Sequence, residues 1–269
     1  MRRLSRKPNL RILLYFILLA GVIIAMSLLK NRGSENLEKP QPIESGGDTL
    51  DVGIEYGPMT LYREGDTLGG YSYDLLRQIA SIGNLKLKFH PIVTISEALE
   101  GLRSGRFDII VGSVPQTVAV SEEFAVTEPI YLDKQLLVQR ADSSKHYFVA
   151  SQLDLGGKTL HVLSDSPAIE RIRAMSSEIG DTIYTVEEHE YGNEQLVILV
   201  ATGEIDYAVV NEKTALAMEG KFDNLDMGTA VSFNQFQPWL LRREDSVICN
   251  RLDSLIVRVK AAEVNQHKK

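Results

Sequence analysis

The sequence predicts an α/β protein of two similar lobes, with mixed sheets flanked by helices, preceded by one N-terminal transmembrane helix. Three observations predict it. Strand and helix patterns alternate from Thr49 onward. One helix–Gly–Asp–strand module recurs 98 residues further along, and an uncharged run of eighteen apolar residues precedes the body. Alternation of this kind builds parallel strands covered by helices. A module repeated once at long spacing means two lobes, because a solenoid needs several short repeats.

The chain opens on a basic tail, residues 1–11, in which Arg2, Arg3, Arg6, Lys7 and Arg11 meet no acid. Residues 12–29, ILLYFILLAGVIIAMSLL, follow. Eighteen residues at about 1.5 Å each span roughly 27 Å, close to the ~30 Å of a bilayer's hydrocarbon core. Positive charge before the run places the N-terminus in the cytoplasm and the body outside, on a single pass through the membrane. Signal cleavage is the competing reading. The run is long for a signal peptide and Ala25-Met26-Ser27 is a poor cleavage site, so an uncleaved anchor is preferred. Residues 30–47, with Pro40, Pro42, Gly46 and Gly47, read as a flexible linker.

The body begins with a strand at Thr49–Ile54. A helix follows over Asp74–Ile82, with Asp74 as its N-cap and Gly83 as its stop. Leu85–Phe89 alternates as a strand and Ile95–Arg103 reads as a helix. Asp108–Val111 and Leu136–Gln139 are apolar strands. The pattern then restarts, with strands at Thr159–Leu163, Thr182–Glu187 and Asp206–Val210 around helices at Ala168–Ile179 and Glu194–Ala201. In the two copies of the module, Gly105 matches Gly203 and Asp108 matches Asp206. Each Gly ends a helix and each Asp satisfies backbone groups where loop meets strand. The expected boundaries are 48–139 plus 234–269 for the first lobe and 140–233 for the second. A cleft between them opens at the carboxyl ends of the strands.

The net charge is −7. With the tail's five positive charges taken out, the rest of the chain carries −12, which argues against nucleic acid as partner. Cys249 is the only cysteine. It can form no internal disulfide or thiolate metal site, and it reads as a small buried hydrophobe. His90, His146, His161, His189 and His267 show no metal-ligand spacing, and no nucleophile elbow or phosphate loop is present. The acidic pairs Glu122-Glu123 and Glu187-Glu188 read as solvated faces. No metal, cofactor or catalytic group is expected, and the chain does not read as an enzyme.

Four ordered stretches resemble the family 3 bacterial solute-binding proteins, with their type II periplasmic-binding fold. They are Gly70-Tyr-Ser-Tyr-Asp-Leu75, Ser104-Gly-Arg-Phe-Asp-Ile-Ile110, Val126-Thr-Glu-Pro-Ile-Tyr131 and Gly203-Glu-Ile-Asp-Tyr-Ala208. Ser72 and Tyr73 depart from the family's usual acid and aliphatic. Within the family, Tyr131–Arg140, Asp206–Val210 and Gln237–Leu241 look closest to the substrate-binding half of membrane-bound lytic transglycosylase F, without the catalytic domain that follows it there. The resemblance implies a receptor tethered to the inner membrane, with its body in the periplasm, for an amino-acid-like or peptide-like ligand, which a cell wall could supply. Its partner would be a membrane transporter or a cell-wall enzyme.

The family pairs a ligand carboxylate with an Arg and a ligand amine with an Asp. The matching positions here are Val120, in Thr117-Val-Ala-Val120, and Asn211. Both anchors of a free α-amino acid are therefore missing, and burying a zwitterion without them costs several kcal/mol. The other candidate contacts are neutral. Tyr56 could stack on a ligand, and Ser113 and Thr117 follow the Asp108 strand. Ser164 and Ser166 precede the helix at Ala168, where Ser166 reads equally as a cap. Tyr56 and Tyr131 read equally as core aromatics, and Trp239 as lobe packing. Hinge strands are expected near Val138 and near Gln235–Leu240. Two alternatives remain. One is an enzyme of the cyclohexadienyl dehydratase type, against which Val120 and Asn211 count because neither titrates. The other is a ligand-free structural module.

Overall fold

The computed structural model describes residues 49–141 and 149–266. The predicted tail, apolar segment and linker lie outside them. Among the described residues, no helix is long and apolar enough to cross a membrane.

The first lobe is built on a five-stranded sheet in the order β4-β1-β5-β14-β6. Strand β1 (Thr49–Glu55) runs parallel to β4 (Lys86–Ile92) and β5 (Ile109–Val111). Strand β14 (Leu240–Arg242) is antiparallel to both β5 and β6 (Phe124–Val126). The second lobe repeats the plan as β10-β9-β11-β8-β12. There β9 (Thr159–Leu163) is parallel to β10 (Tyr184–Glu188) and β11 (Tyr207–Asn211). Strand β8 (Gln135–Arg140) is antiparallel to β11 and to β12 (Leu225–Ala230). The central strands are continuous apolar runs because helices cover both faces. Strands β2 (Tyr62–Glu64) and β3 (Thr67–Gly69) form a separate exposed hairpin.

Helix α1 (Tyr71–Gly83) turns Leu75, Leu76 and Ile79 inward and packs on the long C-terminal helix α7 (Ser246–Gln266). It starts three residues before the expected Asp74. Gly70 is its N-cap at φ 134°, and a Cβ there would lie 2.3 Å from the Thr60 carbonyl oxygen. Only glycine fits such a position. Asn84, at φ 49°, provides the left-handed stop expected of Gly83. The other helices are α2 (Ile95–Arg103), α3 (Val118–Glu123), α4 (Ala168–Ile179), α5 (Asn193–Thr202) and α6 (Glu212–Met218).

The recurring Asp has a recurring partner. Arg242 of β14 donates to the Phe107 carbonyl at 2.8 Å and to Asp108 Oδ1 at 3.0 Å. Arg140 of β8 donates to the Ile205 carbonyl at 2.8 Å and to Asp206 Oδ1 at 2.5 Å. In both lobes the antiparallel strand thus clamps the Asp loop with one guanidinium fork.

The chain crosses between lobes on a ribbon of two antiparallel strands, β7 (Tyr131–Asp133) and β13 (Gln235–Gln237). This corrects the expected first hinge and boundary. Val138 is not at the crossing. It is fully buried opposite Ala208 inside the second sheet, so all of β8 belongs to the second lobe. The ribbon's two faces differ. Leu132 and Phe236, paired across it, are about half exposed, whereas Asp133 and Gln237 on the other face are buried.

Candidate functional site

The carboxyl ends of the parallel strands and the ribbon's polar face meet at the lobe junction. Glu55, the last residue of β1, is buried there. The Ser113 amide, just after β5, donates to its Oε2 at 2.5 Å. From the second lobe, Asn193 Nδ2 at the start of α5 donates to its Oε1 at 3.4 Å. Asn193 Oδ1 accepts the Asn211 amide at 3.4 Å, and Asn211 Oδ1 accepts from Gln135 Nε2. On the ribbon, Asp133 Oδ1 accepts the Lys134 amide at 2.9 Å and the Lys213 amide at 3.3 Å.

Among the described residues, four buried polar atoms of this cluster have no hydrogen-bond partner: Asn211 Nδ2, Asp133 Oδ2, Gln237 Oε1 and the Tyr131 hydroxyl. Burial pushes the Glu55 carboxyl above its ordinary range. The bonds from Ser113 and Asn193 oppose the shift, and the like charge of Glu194 adds to it. Burial also pushes Asp133 up to about 6, against the lowering effect of the Lys134 and Lys213 amides and the Lys213 charge. Tyr131 lies within reach of the Glu55 and Asp133 charges, and burial raises its hydroxyl as well.

The lobes are in contact. One apolar cluster takes Leu99, Phe107 and Val114 from the first lobe and Leu163, Leu196 and Val210 from the second. Ser96 Oγ donates across the junction to Asp165 Oδ2 at 2.6 Å, and Asp165 is held at φ 57°. A Cβ on Gly192 would lie 3.1 Å from the Val93 carbonyl oxygen, so the backbones approach closely there.

Of the residues named from sequence, Ser113 and Asn211 join the buried cluster. Ser164 is buried and its Oγ lies 2.8 Å from His189 Nδ1. Ser166 Oγ accepts the Ala168 amide at 3.2 Å, which is the capping role. Thr117 Oγ1 caps α3 through the Val120 amide at 3.2 Å. Val120 packs, half-buried, on the apolar cluster shared by the lobes. Tyr56 is 45% exposed, with its amide bonded to the Ile92 carbonyl. Trp239 is a core residue of the first lobe.

Sequence reasoning missed Glu55, Asp133 and Asn193. A signal existed for the first two. Glu55 puts a charge at the end of the buried run Val52-Gly-Ile54, and Asp133 alternates with Tyr131 on a short strand. Nothing local marks Asn193, which becomes a site residue only when the lobes meet.

Two α/β lobes joined by a paired ribbon, with a buried polar cluster drawn from both, define a two-lobed periplasmic-binding-protein-like fold. Residues 50–268 match the model of the bacterial extracellular solute-binding proteins, family 3, and the chain belongs to that family. It is 29% identical over 208 residues to a membrane-bound lytic murein transglycosylase F of Shewanella halifaxensis (strain HAW-EB4), covering 77% of this chain and 42% of that one. The chain thus spans less than half the length of this relative. Among solved structures, an ancestral arginine-binding protein bound to arginine superposes with TM-score 0.69 at 18% identity, over 79% of this chain and 92% of that one. A putative L-cystine ABC transporter from Listeria monocytogenes superposes with TM-score 0.68 at 18% identity, over 79% and 90%. At these identities the two structures establish the fold alone.

Proposed function

We propose that the chain is a membrane-tethered, extracytoplasmic solute-binding protein or sensor that closes its lobes on a small amino-acid-like or peptide-like ligand. Cell-wall fragments fall within that class. The observation that supports the reading is the buried polar cluster at the lobe junction, four of whose atoms lack partners among the described residues. Each unmet buried group costs about 1–3 kcal/mol, and a ligand with matching donors and acceptors would recover it. Tethering rests on the apolar run at residues 12–29 and its flanking charges. The closed form would be read by a membrane transporter or a cell-wall enzyme. The test is thermal shift of the full chain in mild detergent against wall peptides, amino acids and sugars. Stabilisation by one class supports the reading, and no shift across the library removes it.

One observation favours a second reading. Glu55 is a buried carboxyl with a raised pKa, the kind of group an enzyme on this fold would use as general acid or base. Measurable turnover of prephenate or arogenate by the purified chain, lost in Glu55→Gln, would replace the receptor reading with a cyclohexadienyl dehydratase-type activity.

A further inference from the structure

We propose that the ligand presents an ammonium group to Glu55 and carries no free carboxylate beside it, as in an amino-acid amide or the amino end of a peptide. This rests on the solute-binding reading and names the chemistry of the same site. The argument begins with charge. Two carboxyls, Glu55 and Asp133, are buried at the junction, and the groups that touch Glu55 include the amide and side chain of Ser113 and the Asn193 carboxamide. These donate hydrogen bonds but cannot neutralise a charge. Lys213 is the cation whose field reaches Asp133, whereas the charge that reaches Glu55 is the like charge of Glu194. A buried anion without a counter-charge is costly, and a cationic ligand removes the cost.

Hydrogen-bond geometry leads to the same class. Glu55 Oε1 takes a long hydrogen bond, at 3.4 Å across the junction. Asp133 Oδ2 and Gln237 Oε1 are buried acceptors with no donor. An ammonium brings three donors and no acceptor, so it suits these acceptors. The remaining orphans, Asn211 Nδ2 and the Tyr131 hydroxyl, can donate, and they suit the carbonyl of an amide. A carboxylate finds no such reception. Val120 packs into the apolar cluster, and a second anion beside Glu55 and Glu194 would be repelled.

The experiment is calorimetric titration of the full chain in detergent with L-amino-acid amides, the matched free amino acids and the matched N-acetyl amides. We expect amides to bind at least tenfold tighter than the free acids, and acetylation of the amine to cost at least tenfold. Glu55→Gln should lose at least tenfold in amide affinity while melting no lower than the wild type. A second measurement does not depend on that variant. Because an ammonium at this junction favours the ionised form of Asp133, which burial holds at about 6, binding near pH 6 should release protons, seen as a buffer-dependent heat. Equal or tighter binding of free acids, undiminished amide binding by Glu55→Gln, or no proton release overturns the inference. If neutral wall peptides or sugars bind with no need for an amine, the inference falls and the solute-binding reading stands. If nothing in the panel or the wider library binds, both fall.

Discussion

Asn193 and Glu55 meet across the lobe junction, the carboxamide Nδ2 donating to the carboxyl Oε1 at 3.4 Å. Through its Oδ1 the same carboxamide accepts the Asn211 amide, so a single side chain couples the end of β1 to the end of β11. The neighbouring Gly192 allows it by bringing its backbone against Val93. Replacing Asn193 with Ala should favour the open form, and Gly192→Val should hold the lobes apart more strongly. Small-angle scattering reads this as a larger radius of gyration in both variants. An unchanged radius in Gly192→Val would mean that the approach at Val93 does not set closure.

The second link, Ser96 to Asp165, is exposed and should be weaker. Ser96→Ala should shift the closure equilibrium by about 0.5–1.5 kcal/mol, the net worth of an ordinary hydrogen bond. Asp165→Gly loses the same bond but accommodates φ 57° without strain. Both variants should therefore show similar opening by scattering, with Asp165→Gly melting at the higher temperature of the two.

Asp133 gives a pH signature. Its folded value of about 6 lies above the ordinary 3.8, so the folded state holds this proton more tightly than the unfolded state does. The resulting penalty is absent below about pH 4, grows between about 4 and 6, and is complete above. There it amounts to about 3 kcal/mol. Asp133→Asn keeps an acceptor for the Lys134 and Lys213 amides and removes the charge. It should melt higher than the wild type at pH 7.5, with the advantage shrinking as the pH falls toward 4. Thermal melts across that range check this, and an advantage that does not vary with pH would contradict it.

The two Asp–Arg forks differ in burial. The Arg242 and Asp108 side chains are 6% and 18% exposed, and Arg242 also pairs with fully buried Asp245 at 2.7 Å. Arg140 and Asp206 are 31% and 73% exposed. Arg242→Met should cost about 3–5 kcal/mol because it strands buried carboxylates. Arg140→Met should cost about 1 kcal/mol or less, as for a pair largely in water. Denaturant midpoints of the two variants compare them directly.

Much of the fold was legible because it was written locally. Helix α2 and α4 and strand β9 fall where periodicity and stop signals place them. The echo of Gly105-Arg-Phe-Asp108 in Gly203-Glu-Ile-Asp206 marks the duplicated lobe plan, and the structure adds the Arg forks that explain it. The hinge was misplaced because an apolar run such as Leu136–Val138 shows that a strand is buried but not in which sheet. The site was only half legible for a related reason. Ser113 was legible from its place after the Asp108 strand and Asn211 from a family pattern, whereas Glu55, Asp133 and Asn193 gain their meaning from partners up to 138 residues away.

Under the solute-binding reading, the ribbon of β7 and β13 sets what kind of movement ligand binding can produce. Two strands bonded to each other resist being pulled apart, yet a narrow two-stranded ribbon twists readily. On that reading, the lobes would turn about this ribbon as an axis, and a partner resting on both lobes would sense an angle. Phe236 and Leu132 ride on the outer side of that axis, so the same rotation would turn an apolar strip relative to its surroundings.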